Sequence, residues 1–164
     1  MSSSIEVRVA EVEALNPLIR RLRLQAPAGQ ALPAFKAGAH VRVQVSLSGE
    51  QQDWRHYSLI NPLPDAGATS APTHYDIAVR REDEGRGGSR FMHSLKVGDT
   101  LRVAGPKNDF PLHAAAEGET ETVLIAGGIG ITPIASMAAA LGVTFRYGAG
   151  IDGLEADLGR ITAV

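Results

Sequence analysis

A six-stranded antiparallel β barrel followed by a short α/β unit is the fold class this sequence predicts. Three observations carry that expectation. Over residues 1–112, apolar side chains alternate with polar ones, which is the period of a strand with one buried and one wet face. Turn-forming residues interrupt the alternation at short intervals, as in small all-β domains. Beyond residue 121 the pattern changes to a continuous apolar run, a glycine-rich turn and a stretch of small residues, which reads as one βαβ unit with a strand buried on both faces.

The elements follow in order. Ile5, Val7 and Val9 alternate with Glu6 and Arg8. Leu22 and Leu24 alternate with Arg21 and Arg23, and Val41, Val43 and Val45 with Arg42, Gln44 and Ser46. Residues 54–60, 75–80 and 100–104 supply three more strands. Pro27-Ala28-Gly29, Ser48-Gly49, Asn61-Pro62 and Gly98-Asp99 are the turns between them. A short helix is expected over residues 89–95, with Ser89 as N-cap and the amides of Arg90 and Phe91 left free. Residues 113–121 are small and polar and read as a linker. Residues 122–126 form the expected buried strand, residues 133–141 the helix, and residues 143–147 a second strand. Residues 148–164 carry four glycines and match no element.

Composition narrows the function classes. The chain has no cysteine, which excludes disulfides, thiol catalysis and Cys-ligated iron–sulfur or zinc sites within these residues. The net charge is -2, without long runs of one sign, which argues against a dedicated nucleic-acid binder. His40, His56, His74, His93 and His113 show no metal-ligand spacing, so no metal site is expected. Residues 122–145 hold no charged side chain, but glycines and Pro133 punctuate them, so no membrane span is expected. The N-terminus lacks the basic and apolar regions of a secretory signal. The expectation is a cytoplasmic protein.

Three constellations bear on chemistry. The first is Arg55-His56-Tyr57-Ser58-Leu59 on a strand. Alternation sends Arg55, Tyr57 and Leu59 to one face and His56 and Ser58 to the other. A permanent cation, a stacking ring and a hydroxyl suit a flat anionic ligand; an ordinary barrel strand with an edge Tyr is the alternative. The second is Gly85-Arg86-Gly87-Gly88-Ser89-Arg90 before the short helix, which is either an anion cradle or a surface turn. The third is Gly127-Gly128-Ile129-Gly130-Ile131-Thr132-Pro133 after the apolar run. It lets a ligand lie against the backbone, with Thr132 capping the helix or reaching that ligand, or it is a plain tight turn.

Taken together, these segments resemble the ferredoxin–NADP reductase superfamily, and within it the phthalate dioxygenase reductase and vanillate demethylase reductase group. The matching stretches also include Gly38-Ala39-His40-Val41, the Tyr75 to Arg80 strand, Val97 to Leu101, Pro106 to Leu112 and Leu124 to Ile134. The resemblance implies a flavin-binding barrel of ferredoxin-reductase type, here residues 1–112, and the start of a nicotinamide-nucleotide unit, here residues 122–164. By position, Arg55 would bind the flavin phosphate, Tyr57 would stack on the isoalloxazine, and Ser58 would hydrogen-bond near flavin N5. Tyr57 and Ser58 are thus the residues at the redox atoms. Ile77, Ala78 and Val79 would face the ring through backbone groups, and Gly87, Gly88 and Ser89 would hold the phosphate. Gly127, Gly128, Gly130 and Thr132 would meet the nicotinamide nucleotide.

FMN is the flavin the group favours, with FAD as the alternative. Binding of NAD(P)H is left open, because the group continues through several more βα units and this sequence holds one. The function implied is a flavin-dependent oxidoreductase, passing reducing equivalents from NAD(P)H to an oxygenase or other acceptor. The alternative is a flavin-binding or other small-ligand module without its own reductase activity. A single parallel unit leaves apolar faces uncovered, so Leu124, Ile125, Ile129, Ile131, Ile134 and Val143 are expected to meet a second copy or a partner subunit.

Overall fold

The computed structural model describes residues 4–28, 30–47, 51–61, 68–69, 71–113 and 122–142. The strands are β1 (Ser4–Asn16), β2 (Ile19–Gln25), β3 (Phe35–Lys36), β4 (His40–Ser46), β5 (Gln52–Ser58), β6 (Ala68–Thr69), β7 (His74–Arg80) and β8 (Thr100–Lys107). Helix α1 (Gly88–Ser94) precedes β8, and a 3-10 turn, Gly128–Gly130, leads into α2 (Ile131–Ala140).

Six strands form one antiparallel sheet in the order β5-β4-β8-β1-β2-β7. The alternation read from sequence is the alternation observed. Val7, Val9, Leu22, Leu24, Val41, Val43 and Val45 are all buried, and register places Val9 opposite Leu24 and Val43 opposite Val103 on the inner face. Each such side chain contributes roughly 1.5–3 kcal/mol by leaving water. The pair β3–β6, with Phe35 opposite Thr69, stands apart from this sheet. It was not legible in the sequence, because two-residue strands carry no period.

The expected barrel curls but does not close. Among the described residues its edge strands, β5 and β7, meet through one bridge, between Leu59 and Ile77. Next to it, the Ile60 amide donates to the Asp76 carbonyl at 2.9 Å. Away from this end the two edges form no ladder among the described residues, leaving a seam, and α1, which follows β7 in the chain, packs near both β7 and β4.

Helix α1 forms, but its cap differs from expectation. Gly87 is the N-cap, at φ 93 in the left-handed region, and no side chain caps the helix. Ser89 lies inside the first turn. Its hydroxyl accepts from the Glu82 amide at 3.0 Å and bonds the Glu82 carbonyl at 3.3 Å. The Phe91 amide is not free; it donates to Gly87 at 2.9 Å. Two contacts anchor the helix. A ring nitrogen of buried His93 lies 2.8 Å from the Val79 carbonyl oxygen, and the Arg20 guanidinium donates to the His93 carbonyl.

The second unit is corrected more deeply. Residues 122–127 pair with no strand among the described residues. Val123 and Ile125 are 46% and 56% exposed, so the expected doubly buried strand is an extended segment here. The second strand, residues 143–147, most of the linker and the tail lie outside the described residues. Helix α2 spans Ile131–Ala140 and docks on the barrel itself. Its Ile134 and Met137 join the barrel core, and the buried Ser136 hydroxyl accepts from the Gly38 amide at 3.0 Å. Leu124 packs against the same core. For Ile134 and Leu124, therefore, the cover is the chain's own barrel, and no second copy is needed there. No helix among the described residues is long and apolar enough to cross a membrane.

Gly38 is the residue that permits this dock. It sits at φ 87, and a Cβ there would lie 1.9 Å from the Phe110 carbonyl oxygen and 2.8 Å from Met137 Cε. Gly38→Ala is expected to lower unfolding free energy by about 2 kcal/mol or more, through strain and clash. Ser136→Ala, which removes the hydroxyl's bonds to the Gly38 amide and the Pro133 carbonyl without a clash, is expected to cost about 1–2 kcal/mol. Urea denaturation measures both; a Gly38→Ala variant as stable as the parent contradicts the close approach.

Candidate functional site at the open seam

The site is built on β5. Arg55 lies opposite Val43 and Tyr57 opposite Val41, so both project to the inner side with Leu59, which is fully buried. His56 and Ser58 lie opposite Arg42 and His40 on the other side. This is the division that alternation predicts.

Arg55 is half paired. Its Nη1 donates to Asp53 Oδ2 and, at 3.1 Å, to the Trp54 carbonyl. The Asp53 carboxyl also accepts from the Trp54 amide at 2.7 Å. The Arg55 hydrogen bond, and then this amide, hold Asp53 below the usual carboxylate range. Arg55 Nη2, however, is buried and has no partner. A buried donor in that state costs about 1–3 kcal/mol. The guanidinium lies against the start of α1: a Cβ on Gly88 would come within 3.0 Å of Arg55 Nε and 3.2 Å of its Cγ. Glycine at 88 therefore admits the cation, and Gly87 supplies the left-handed turn beside it.

β7 forms the facing edge. The Ile77 and Val79 side chains are buried in the core, and alternation turns their backbone groups toward β2. The amide and carbonyl of Asp76 both point across the seam, to Asn61 and Ile60. Antiparallel alternation turns the backbone groups of Ala78 the same way. Ala78 is the residue of the three whose main chain faces the gap.

The glycine turn is open. A Cβ on Gly127, Gly128 or Gly130 would meet nothing within 4 Å, and Gly128 has φ 54. The turn lies beside β7. The Thr132 hydroxyl donates to the Ile129 carbonyl at 2.9 Å. It caps nothing, since Gly130 is the N-cap and no side chain caps α2. The structure thus brings together Arg55, Gly87 and Gly88, and sets Tyr57 and Ser58 at the seam opposite Ala78. Ser89 is at the helix start, but its hydroxyl is spent on Glu82.

Other polar groups surround the site. The His40 and His56 rings stack edge to face at 5.0 Å. Burial, then the neighbouring His56, holds the His40 ring below its ordinary pKa, while Asp109 at 3.8 Å opposes that. Arg42 lies over the Trp54 ring, 5.6 Å from its centre. Two residues escaped sequence reasoning, Asn61 and Asp76. Asp76 is only 2% exposed and takes a two-pronged hydrogen bond from Arg23, at 2.9 and 3.0 Å. Asn61 was legible only as half of a turn signal.

This combination of an open antiparallel barrel, an Arg-x-Tyr-Ser strand and a glycine-cradled cation defines a class. The chain belongs to the oxidoreductase FAD-binding domain family, whose model matches residues 6–111, within the ferredoxin-reductase superfamily. Among individual proteins, it is 44% identical over 137 residues to the carnitine monooxygenase reductase subunit of Escherichia coli K12, covering 83% of this chain and 40% of that one. It is 44% identical over 120 residues to the phthalate 4,5-dioxygenase oxygenase reductase subunit of Pseudomonas putida, covering 73% of this chain and 33% of that one. The solved phthalate dioxygenase reductase superposes with a TM-score of 0.71 at 36% identity, over 85% of this chain and 40% of that one. The chain thus spans well under half the length of these relatives.

Tyr57 offers a direct probe of the site. Burial pushes its phenol up to about 12, against a smaller opposing pull from Arg55. Unfolded tyrosine titrates near pH 10. The folded state therefore holds this proton longer, and the stability so gained is lost as pH rises from about 10 toward 12. Tyr57→Phe is expected to flatten that alkaline loss, leaving the smaller part due to Tyr75, whose phenol burial also raises. Denaturation curves at about pH 9 and about pH 11 test this; equal slopes for parent and variant contradict a buried phenol.

Proposed function

We propose that this chain is the flavin-binding part of a reductase that takes reducing equivalents from NAD(P)H and passes them to an oxygenase partner. The observation that carries the reading is Arg55 Nη2, a buried cationic donor without a partner, held against the close backbone of Gly88. That donor set fits a phosphate, since a guanidinium offers paired donors to phosphate oxygens. The named relatives support the rest. They are reductase subunits of oxygenase systems, and the solved relative is described as a modular structure for electron transfer from pyridine nucleotides to a 2Fe–2S centre.

In this reading residues 1–112 are the flavin barrel, and residues from 122 onward open the nucleotide unit. Arg55, Gly87 and Gly88 hold the flavin phosphate. Tyr57 stacks on the ring from the inner side of β5. The Ser58 hydroxyl offers a hydrogen bond at the ring edge, and Ala78 meets the ring through its backbone. Ile77 and Val79 set the apolar floor. Gly127, Gly128 and Gly130 leave an open backbone surface beside β7 for the nicotinamide nucleotide, next to Thr132. FMN is the flavin we assign, with FAD as the alternative. Bound flavin supplies the two-electron to one-electron redox chemistry that no side chain here can perform.

The purified protein, incubated with FMN or FAD and desalted, is expected to be yellow. Arg55→Ala is expected to weaken flavin binding about 100-fold, the loss of about 3 kcal/mol typical of a charge-assisted pair. A chain that stays colourless after both flavins overturns the proposal. Anaerobic NADH or NADPH then separates the two roles: bleaching supports a reductase, and its absence supports a flavin-binding module that depends on further segments.

A further inference from the structure

We propose that Asn61 is a positioning residue of the seam: its side-chain amide replaces a backbone rung between β5 and β7 and fixes where the seam closes beside Tyr57 and Ser58. The inference rests on the flavin reading of that seam.

Register along the two edges shows what Asn61 does. Continuing from the Leu59–Ile77 bridge, residue 60 falls opposite Asp76. In an antiparallel ladder alternate pairs exchange both backbone hydrogen bonds. Ile60 meets half of that requirement, donating to the Asp76 carbonyl at 2.9 Å, while the Asp76 amide is left for another acceptor. The next acceptor along this edge of β7 is the His74 carbonyl, two residues from Asp76. The residue that follows Asn61 in the sequence is a proline, a residue type without an amide hydrogen.

Asn61 supplies what is missing. Its Nδ2 donates to the His74 carbonyl at 3.1 Å. Its Oδ1 accepts from the Asp76 amide at 2.8 Å. One side chain thus satisfies a donor and an acceptor that β7 presents at its open edge. Asn61 is 5% exposed, so water does not readily take its place. The strand it grips is itself fixed, because Arg23 holds the Asp76 carboxylate from the neighbouring strand β2.

The position makes this more than a local clasp. Ser58 and Tyr57 directly precede Leu59, at the point where the edges begin to part. Without the Asn61 rung, the Leu59–Ile77 bridge, with its Ile60 bond, is what joins the edges among the described residues, and the angle at which Tyr57 leaves them is less constrained. Asn61 touches no reacting atom in this account. It acts through the placement of Tyr57 and Ser58.

The test uses the whole chain, with Asn61→Ala, and Asn61→Ser as the milder change where alanine does not fold. FMN affinity and the visible circular dichroism of the bound flavin are measured well below the melting temperature of every variant. The expected result is at least about tenfold weaker FMN binding and an altered flavin dichroism. Faster hydrogen exchange at the Ile60 and Asp76 amides should accompany both. A variant that melts earlier but binds FMN equally well, with an unchanged spectrum, overturns the positioning role and leaves the flavin reading intact. Unchanged exchange at those amides overturns the rung itself. A parent chain that takes up neither FMN nor FAD overturns the flavin reading, and this role with it.

Discussion

Two sheet edges that meet at one end and part at the other are the constraint on which the rest of this molecule depends. An antiparallel sheet of six strands can close and hide its edges, or stay open and expose unpaired amides and carbonyls. Here β5 and β7 do neither completely. The Leu59–Ile77 bridge and the Ile60 hydrogen bond join them, and both bridge residues are fully buried. Beyond that point backbone groups of β7 remain directed across a gap, and α1 packs near both β7 and β4. A flat molecule with polar edges is the kind of object such a gap can accept without breaking any ladder.

Charge is arranged around the same gap. Arg55 is tied on one side to Asp53, whose carboxylate it keeps ionised, so the guanidinium has a fixed direction. Its other terminal nitrogen stays buried and unpaired. Full pairing would have neutralised the cation; full exposure would have let water screen it. The half-paired state leaves a directed donor whose desolvation has already been met in folding, and an acceptor arriving there gains the hydrogen bond without that penalty. Glycine at 88 lets the guanidinium lie this close to the helix start, since a Cβ there would press on its Nε and Cγ.

Much of this was legible in the chain because it depends on local periods. The two-residue alternation at Val7-Val9, Leu22-Leu24 and Val41-Val43-Val45 reports burial directly, and the inward direction of Arg55 and Tyr57 follows from it. What failed depends on non-local partners. Ser89 is a good N-cap by residue type, yet Glu82 claims its hydroxyl and Gly87 takes the cap with a left-handed backbone. The apolar run at 122–126 reads as a buried strand, but burial needs a neighbour, and among the described residues none pairs with it. Asn61 looks like a turn former because Asn-Pro usually is one. That its amide stands in for a rung can be seen only when His74 and Asp76 are brought opposite.

The attachment of α2 carries the same logic to the second unit. A βαβ unit is ordinarily organised by its strands, with the helix laid on the sheet they form. Here the helix is held directly by the barrel. Gly38 gives its amide to Ser136, Met137 fills the space a Cβ would take, and Ile134 enters the barrel core. Asn108 braces the same turn by donating to the Ala37 carbonyl at 2.9 Å. The helix therefore has a defined orientation before any strand of its own unit is paired. Since the 3-10 turn at its head lies beside β7, that orientation also fixes the turn relative to the seam. One strand, β7, is then shared between the edge that faces Tyr57 and the neighbourhood of Gly128 to Gly130. The position of that turn beside β7 is thus tied to the contact of Gly38 with Ser136 and Met137.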